Sequence, residues 1–332
     1  MDTVVSIHVA APADTPEQAH EQEDAVERAL GWFHHVEDTC TRFDPNSELM
    51  RLSAQVNVAV PVSALLFEAV QLAVAIARET GGAFDPTVGG RMHDAGFNRD
   101  HRSGRVVEFA RPGDDGASYR DVVLDAPART ITLTRPLVLD LGALAKGLAI
   151  DMAACELRPF EDFAVDAGGD LYLGGHRPDG EPWSVGIRHP RHDGELIDVC
   201  RVSNRAVCTS GDYERRTADG AAHHIVDPRG KSPAAKSISA TVVADTAMLA
   251  DAVATAAFVL GPADGLQLLD ILQLDGLIVS PALELFATRG MRRDDRFRDA
   301  AADAYSGAAI LSNAQGTAHD HPRADSWRDR LG

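Results

Sequence analysis

The sequence predicts an α+β fold, with a mixed, substantially antiparallel sheet and helices around it. Three observations carry this expectation. Short alternating or β-branched runs crowd the middle of the chain, from "FAVDAGGDLYLGG" through "WSVGIRHP", "ELIDVCRVS" and "RAVCTS", joined by glycine or polar turns. Segments with helical periodicity and recognisable stops lie on both sides of that cluster. No regular strand–helix–strand repeat or helical repeat links them.

Along the chain, "VVSIHVA" alternates and predicts a first strand. Residues 16–39 predict an amphipathic helix interrupted by Gly31, and "CTRFDPNSELMRL" a turn feeding a short helix. "PVSALLFEAVQLAVAIARETGG" predicts a helix capped by Ser63 and stopped by Gly81 and Gly82, with Val70 and Val74 in the core. Strands are expected at 120–124, 129–133 and 136–140, then a helix over "LGALAKGLAIDMAACEL". "SISATVVA" predicts a strand before the helix "LADAVATAAFVLG", for which Asp245 is a candidate N-cap. A short helix at "GLQLLDILQ" and strands at "GLIVS" and "LELFATRG" complete a body spanning residues 1–290. Residues 291–332 are polar and poor in aliphatics, the signature of a surface extension or disordered tail, with a terminal interaction helix as the competing reading.

At 332 residues the chain can hold one large domain or two joined ones. The net charge of -18 argues against broad binding to a nucleic-acid backbone, though a locally positive site can still take a small anion. Cys40, Cys155, Cys200 and Cys208 form no CxxC pair, and only Cys200–Cys208 offers a conceivable disulfide. No basic segment followed by an apolar core opens the chain, and no charge-free apolar stretch reaches 18 residues. A cytoplasmic location is the resulting expectation.

Chemistry concentrates in a few places. In "LVLDLGALAKGLAID", Asp140 ends an apolar run and Gly142 permits a tight turn. The helix that follows brings unpaired backbone donors to that turn, and Lys146 adds positive charge, a combination suited to phosphate. Asp140 can serve a ligand or cap the helix. The "GG" pairs around Asp85 and in "VDAGGD" admit close backbone approach or are plain polar turns. Ser210, Asp212 and Tyr213 either orient a ligand or shape a hairpin, and either His223 or His224 can relay a proton. Asp251 stands inside an apolar helical run with Thr255 four residues on, on the same face. Buried carboxylates need a partner. Hard oxygens at that spacing suit Mg²⁺, while a threonine hydroxyl bonded back to its own helix explains Thr255 equally well.

Taken in order, "MDTVVSIHV", "TRFDPNSELMRL", "GGAFDPTVGG", "LDLGALAKGLAID", "VDAGGDLYLGG", "TSGDY", "HHIVDP" and "LADAVATA" resemble the FAD:protein FMN transferase family, the ApbE flavin transferases, across roughly residues 1–290. The resemblance implies that Met1, Phe43, Ala83, Phe84, Asp85, Asp140, Lys146 and Ile225 line FAD. It implies Mg²⁺ bound by the Ala143 carbonyl, Asp251 and Thr255, with His224 activating the acceptor hydroxyl. The implied reaction transfers FMN from FAD to a threonine or serine of a target carrying an Asp-x-x-Ser/Thr-Gly-Ala-Thr segment, with AMP leaving. Water in place of that hydroxyl would make the protein a FAD pyrophosphatase, and loss of chemistry would leave a flavin-binding or delivery protein. Two departures stand out. Asp2 occupies the family's usual glycine position, and "DPRGKSP" replaces the usual "DPRTG" and proline, with Gly230 and Lys231 in the changed positions. No oligomeric state follows from the sequence.

Overall fold

The computed structural model describes residues 3–10, 13–100, 104–107, 116–214, 223–230 and 234–291. Strand β1 (Val5–Val9) leads into α1 (Pro16–Cys40), whose N-cap Thr15 forms a reciprocal capping box with Gln18. This helix runs unbroken through Gly31, contrary to the expected interruption. Glycine weakens a helix without ending it, and nothing lies within 4 Å of where its Cβ would stand. Ser47 caps α2 (Glu48–Ser53). After β2 (Val60–Pro61), Ser63 caps α3 (Ala64–Glu79) as expected, and Val70 and Val74 are buried. Gly81 and Gly82, both at positive φ, turn the chain away from α3 towards a short helix α4 (Gly89–Asp94) that sequence reasoning missed.

β4 (Thr130–Leu133) pairs with β2 on one side and with β3 (Val122–Asp125) on the other in a small sheet. The strand expected at 136–140 is reduced to one bridge, Val88 to Val138. Pro136 lacks an amide proton, and the Asp140 amide donates to the Pro86 carbonyl at 2.7 Å, so this segment is bound to the loop before α4 rather than to a sheet.

Helix α5 (Ala145–Leu157) precedes β5 (Phe163–Ala167), β6 (Asp170–Gly174), β7 (Trp183–Arg188), β8 (Leu196–Val202) and β9 (Arg205–Gly211). β10 (Ser239–Ala244), α6 (Ala247–Leu260), α7 (Pro262–Leu272), β11 (Asp275–Val279) and β12 (Leu285–Ala287) follow. The main sheet has seven strands in the order β1-β5-β6-β9-β10-β11-β12, with every neighbouring pair antiparallel. β7 and β8 make a separate hairpin.

α6 packs on β9 and β10 and against α5, and α5 in turn packs against α1. A buried core dominated by leucine, valine and alanine fills this layer, including Leu66, Ile150, Leu157 and Val253. Small residues let the layers approach, which is how a chain poor in aromatics closes its interior. The N-cap of α6 is Thr246, not Asp245. The helix starts earlier than its apolar pattern indicated, and Asp245 faces outward to Arg205. The four cysteines are free, so Cys200 and Cys208 are not bridged. Among the described residues no helix is long and apolar enough to cross a membrane.

Candidate active site

The site is built around the seam between α5 and α6. At Gly147 a Cβ would stand 2.3 Å from the Ala247 carbonyl oxygen and 2.7 Å from Met248 Cα, so the approach of the two helices requires glycine. The same approach brings the first turn of α5 against the side of α6, where the Gly147 amide donates to Asp251 Oδ2 at 3.2 Å. One turn further along α5, Asp151 accepts from the Ala247 and Met248 amides at 2.6 and 2.9 Å. These are donors that the start of α6 would otherwise leave unpaired. Burial pushes the Asp151 carboxyl up to about 7, while the two amides and Arg158 pull the other way.

Asp251 is 6% exposed, and Thr255 lies one turn later on the same face of α6. Thr255 Oγ1 is 3.0 Å from Ser210 Oγ on β9. Lys146, in the first turn of α5, sits 2.5 Å from Asp170 Oδ2. Burial works against its ammonium, but the charges of Asp170 and Asp251 outweigh that and hold Lys146 above the usual lysine range. The donors here are carboxylate and hydroxyl oxygens, the chemistry that suits a hard divalent cation. Among the described residues no group of three or more His, Cys, Asp or Glu could bind a metal alone. A cation here would therefore complete its shell with a carbonyl such as that of Ala143, with substrate phosphate and with water, the habit of Mg²⁺.

The chain from Asp140 to Lys146 links this seam to a second group of residues. Asp140 Oδ1 accepts from the Gly142 amide at 2.7 Å and Oδ2 from Arg42 Nε at 2.7 Å. It shapes the turn rather than capping α5, whose N-cap Leu144 offers no side-chain bond. Arg42 is buried, donates to the Phe97 carbonyl at 2.5 Å and lies 4.3 Å from the Phe43 ring centroid. Its Nη1 is buried without a hydrogen-bond partner among the described residues, a donor that a bound anion or carbonyl can satisfy. Sequence reasoning missed Arg42. A buried arginine 98 positions from its carboxylate leaves no local signal. Asp85 joins this group because Pro86 receives the Asp140 amide. Its own carboxylate accepts from Thr87 and from the Tyr119 amide. A cleft of about 230 Å³ opens beside it, lined by Gly82, Asp85, Arg91, Tyr119 and Arg229. None of Lys146, Asp251 or Thr255 lines that cleft, which belongs to the Asp85 end.

The third group follows residue 223. His223 Nδ1 accepts from the Ile225 amide at 3.3 Å, so Nε2 carries the proton given to the Ala234 carbonyl at 2.8 Å. Its ring stands edge-on to Phe258. His223 is thus part of the scaffold, and half-buried His224 follows it. Ile225 and Ala83 are buried together against Ala257 and Phe258 of α6, which joins this segment to the helix carrying Asp251 and Thr255. Phe84 is buried next to Ala83, in the main core. Arg91 donates to the carbonyls of Pro228 and Gly230. Asp212, read above as orienting a ligand or shaping a hairpin, accepts two bonds from Arg191, both 2.7 Å. Met1, Lys231 and Pro233 lie outside the described residues.

Comparison with known proteins places this arrangement. The ApbE family model matches residues 1–278. An FAD:protein FMN transferase of Haemophilus influenzae is 28% identical over 261 residues, covering 74% of each chain. One from Treponema pallidum is 31% identical over 313 residues, 85% of this chain and 84% of its own. The crystal structure of the ApbE protein from Thermotoga maritima superposes with a TM-score of 0.73 at 28% identity, covering 88% of this chain and 99% of the other.

Proposed function

The chain belongs to the ApbE family, and from that premise we propose that it is a Mg²⁺-dependent FAD:protein FMN transferase. It joins FMN through a phosphoester to a threonine or serine of an acceptor protein and releases AMP. The observation that carries this reading is the placement of Asp251 and Thr255 on one face of α6, with Asp251 bonded to the first turn of α5 and Thr255 meeting Ser210 of β9. That seam combines hard oxygen donors, backbone donors of a helix N-terminus and a lysine, the elements that hold a diphosphate.

Asp251, Thr255 and the Ala143 carbonyl would hold the metal. A Mg²⁺ held there would supply positive charge for the diphosphate and for the leaving phosphate oxygen. Lys146 adds positive charge on the same side. Arg42 fixes the Asp140 carboxylate for the ligand beside Phe43, while Ala83, Phe84, Asp85 and Ile225, with Met1, supply the rest of the FAD surface. His224 takes the proton from the acceptor hydroxyl as its oxygen attacks the FMN-side phosphorus. A phosphorus–oxygen bond to the acceptor forms, the bond to AMP breaks, and the electron pair leaves with AMP. The catalytic unit is residues 1–290, with 291–332 as an extension.

Incubation of the protein with FAD, Mg²⁺ and an acceptor bearing the Asp-x-x-Ser/Thr-Gly-Ala-Thr segment tests the reading. Intact-protein mass spectrometry should show one FMN added at the final threonine, with AMP in equal amount. Free FMN and AMP with every competent acceptor would make the protein a pyrophosphatase. Binding of FAD without either product would make it a flavin-binding protein.

A further inference from the structure

Asp170 opens β6 directly after the Gly168–Gly169 turn and is 2% exposed. The two carboxylate oxygens face different partners. Oδ1 accepts from the Thr209 amide at 2.8 Å, and Oδ2 meets the Lys146 ammonium at 2.5 Å. Thr209 Oγ1 is 2.9 Å from Thr241 Oγ1, and the next residue on β9 is Ser210, whose hydroxyl meets Thr255. One buried carboxylate therefore ties the first turn of α5 to the strand that faces the oxygen donors of α6.

Lys146 is influenced by two carboxylates, Asp170 and Asp251. They have different duties in the proposed site. Asp251 must be available to a cation, and an ammonium drawn onto it would compete for the same oxygens. A flexible lysine stem permits that movement. We infer that Asp170 is a positioning residue that anchors Lys146 on the sheet side, so that its charge serves the diphosphate without occupying the metal-binding carboxylate of Asp251. The inference rests on the reading of Asp251 as a metal ligand. It adds a residue to that site that touches neither metal nor substrate.

The test is a binding measurement, independent of turnover. Mn²⁺ is titrated into full-length protein and followed by electron paramagnetic resonance, with FAD affinity measured separately without metal. Asp170→Asn keeps the size of the side chain and an acceptor for the Thr209 amide but removes the charge. It should weaken Mn²⁺ binding roughly tenfold, the scale of a lost outer-shell partner. Adding Lys146→Met to Asp170→Asn removes the competing ammonium and should return the Mn²⁺ midpoint towards the wild-type value. A merely structural role would lower thermal stability, leave the midpoint in place and show no such rescue, and that result overturns the inference. Should Asp170→Asn fail to fold, Asp170→Ser and the double variant, which removes both charges together, carry the same comparison. Absence of saturable Mn²⁺ binding by the wild-type protein overturns both the metal reading and the role of Asp170. Weakened and then rescued Mn²⁺ binding in a protein that transfers no FMN supports the inference while defeating the transferase reading.

Discussion

Asp251 and His224 belong to one proposed site, yet the chain holds them by different means. Asp251 sits in a helix–helix seam, with Gly147 permitting the contact and Asp151 closing the start of α6 from the neighbouring helix. His224 lies in a connecting segment whose nearest anchors are the His223 bonds, the burial of Ile225 and the grip of Arg91 on Pro228 and Gly230. The seam is positioned by core packing, where a displacement of one side chain disturbs both helices. The histidine segment is positioned by its own short-range bonds, by Arg91 from α4 and by the packing of Ile225 on α6. In the proposed site the metal-holding residues are thus coupled to the stability of the fold, while the histidine lies in a connecting segment, the kind of element that tolerates change more readily.

Five substitutions can break or sharpen this contrast. The largest effect is expected for Asp251→Ala, with FMN transfer falling by about 10²-fold or more and losing its Mg²⁺ dependence. Activity across a Mg²⁺ titration measures this, with circular dichroism confirming the fold, and wild-type turnover would remove Asp251 from the site. His224→Ala should lose about 10²-fold of transfer while binding FAD within a few-fold of wild type. Calorimetry paired with adduct mass spectrometry separates the two quantities. If His223→Ala showed that catalytic loss instead, the assignment of the pair would be reversed.

Gly147→Ala should cost about 1–3 kcal/mol, because its Cβ would press on the Ala247 backbone and the helices must part. Urea unfolding measures it, and an unchanged midpoint would show that the seam is looser than these distances imply. The last effect concerns pH. The Asp151 carboxyl rises from its ordinary 3.8 to about 7 on folding, so the native state binds more protons than the unfolded chain between those values. Its contribution to stability is therefore full below about pH 4 and is lost as pH rises through about 7. Asp151→Asn should flatten that part of the profile, as judged by denaturation midpoints at pH 5 and pH 8. An unaltered slope would assign the dependence to other groups.

Much of the fold was legible because its helices carry local signals. Ser63 before α3, the paired glycines after it and the apolar face bearing Val70 and Val74 each act over a few residues. The errors have equally local causes. Gly31 weakens α1 without stopping it, Thr246 rather than its acidic neighbour meets the geometry of the cap, and the apolar run 136–140 spends its backbone on the segment around Pro86 and Gly89. In the site, the carboxylate inside the apolar run of α6 drew attention to Asp251. The same signal stands at Asp151, a carboxylate within "GLAIDMAA", and would have located the α5–α6 clamp. Arg42 with Asp140, and Lys146 with Asp170, join distant parts of the chain, and a single sequence contains no term for such pairings.

The thiols give the seam a built-in reporter. Cys208 is buried, with Sγ 3.5 Å from the carbonyl of Ala247, the residue against which Gly147 packs. Burial pushes its thiol well above the ordinary range and pushes those of Cys40 and Cys200 up to about 12. Alkylating reagents consume thiolate, so the closed protein should react slowly at these three positions. The rate at which Cys208 is labelled then becomes a clock for separation of β9 from α6, readable by peptide mapping without any flavin or acceptor present.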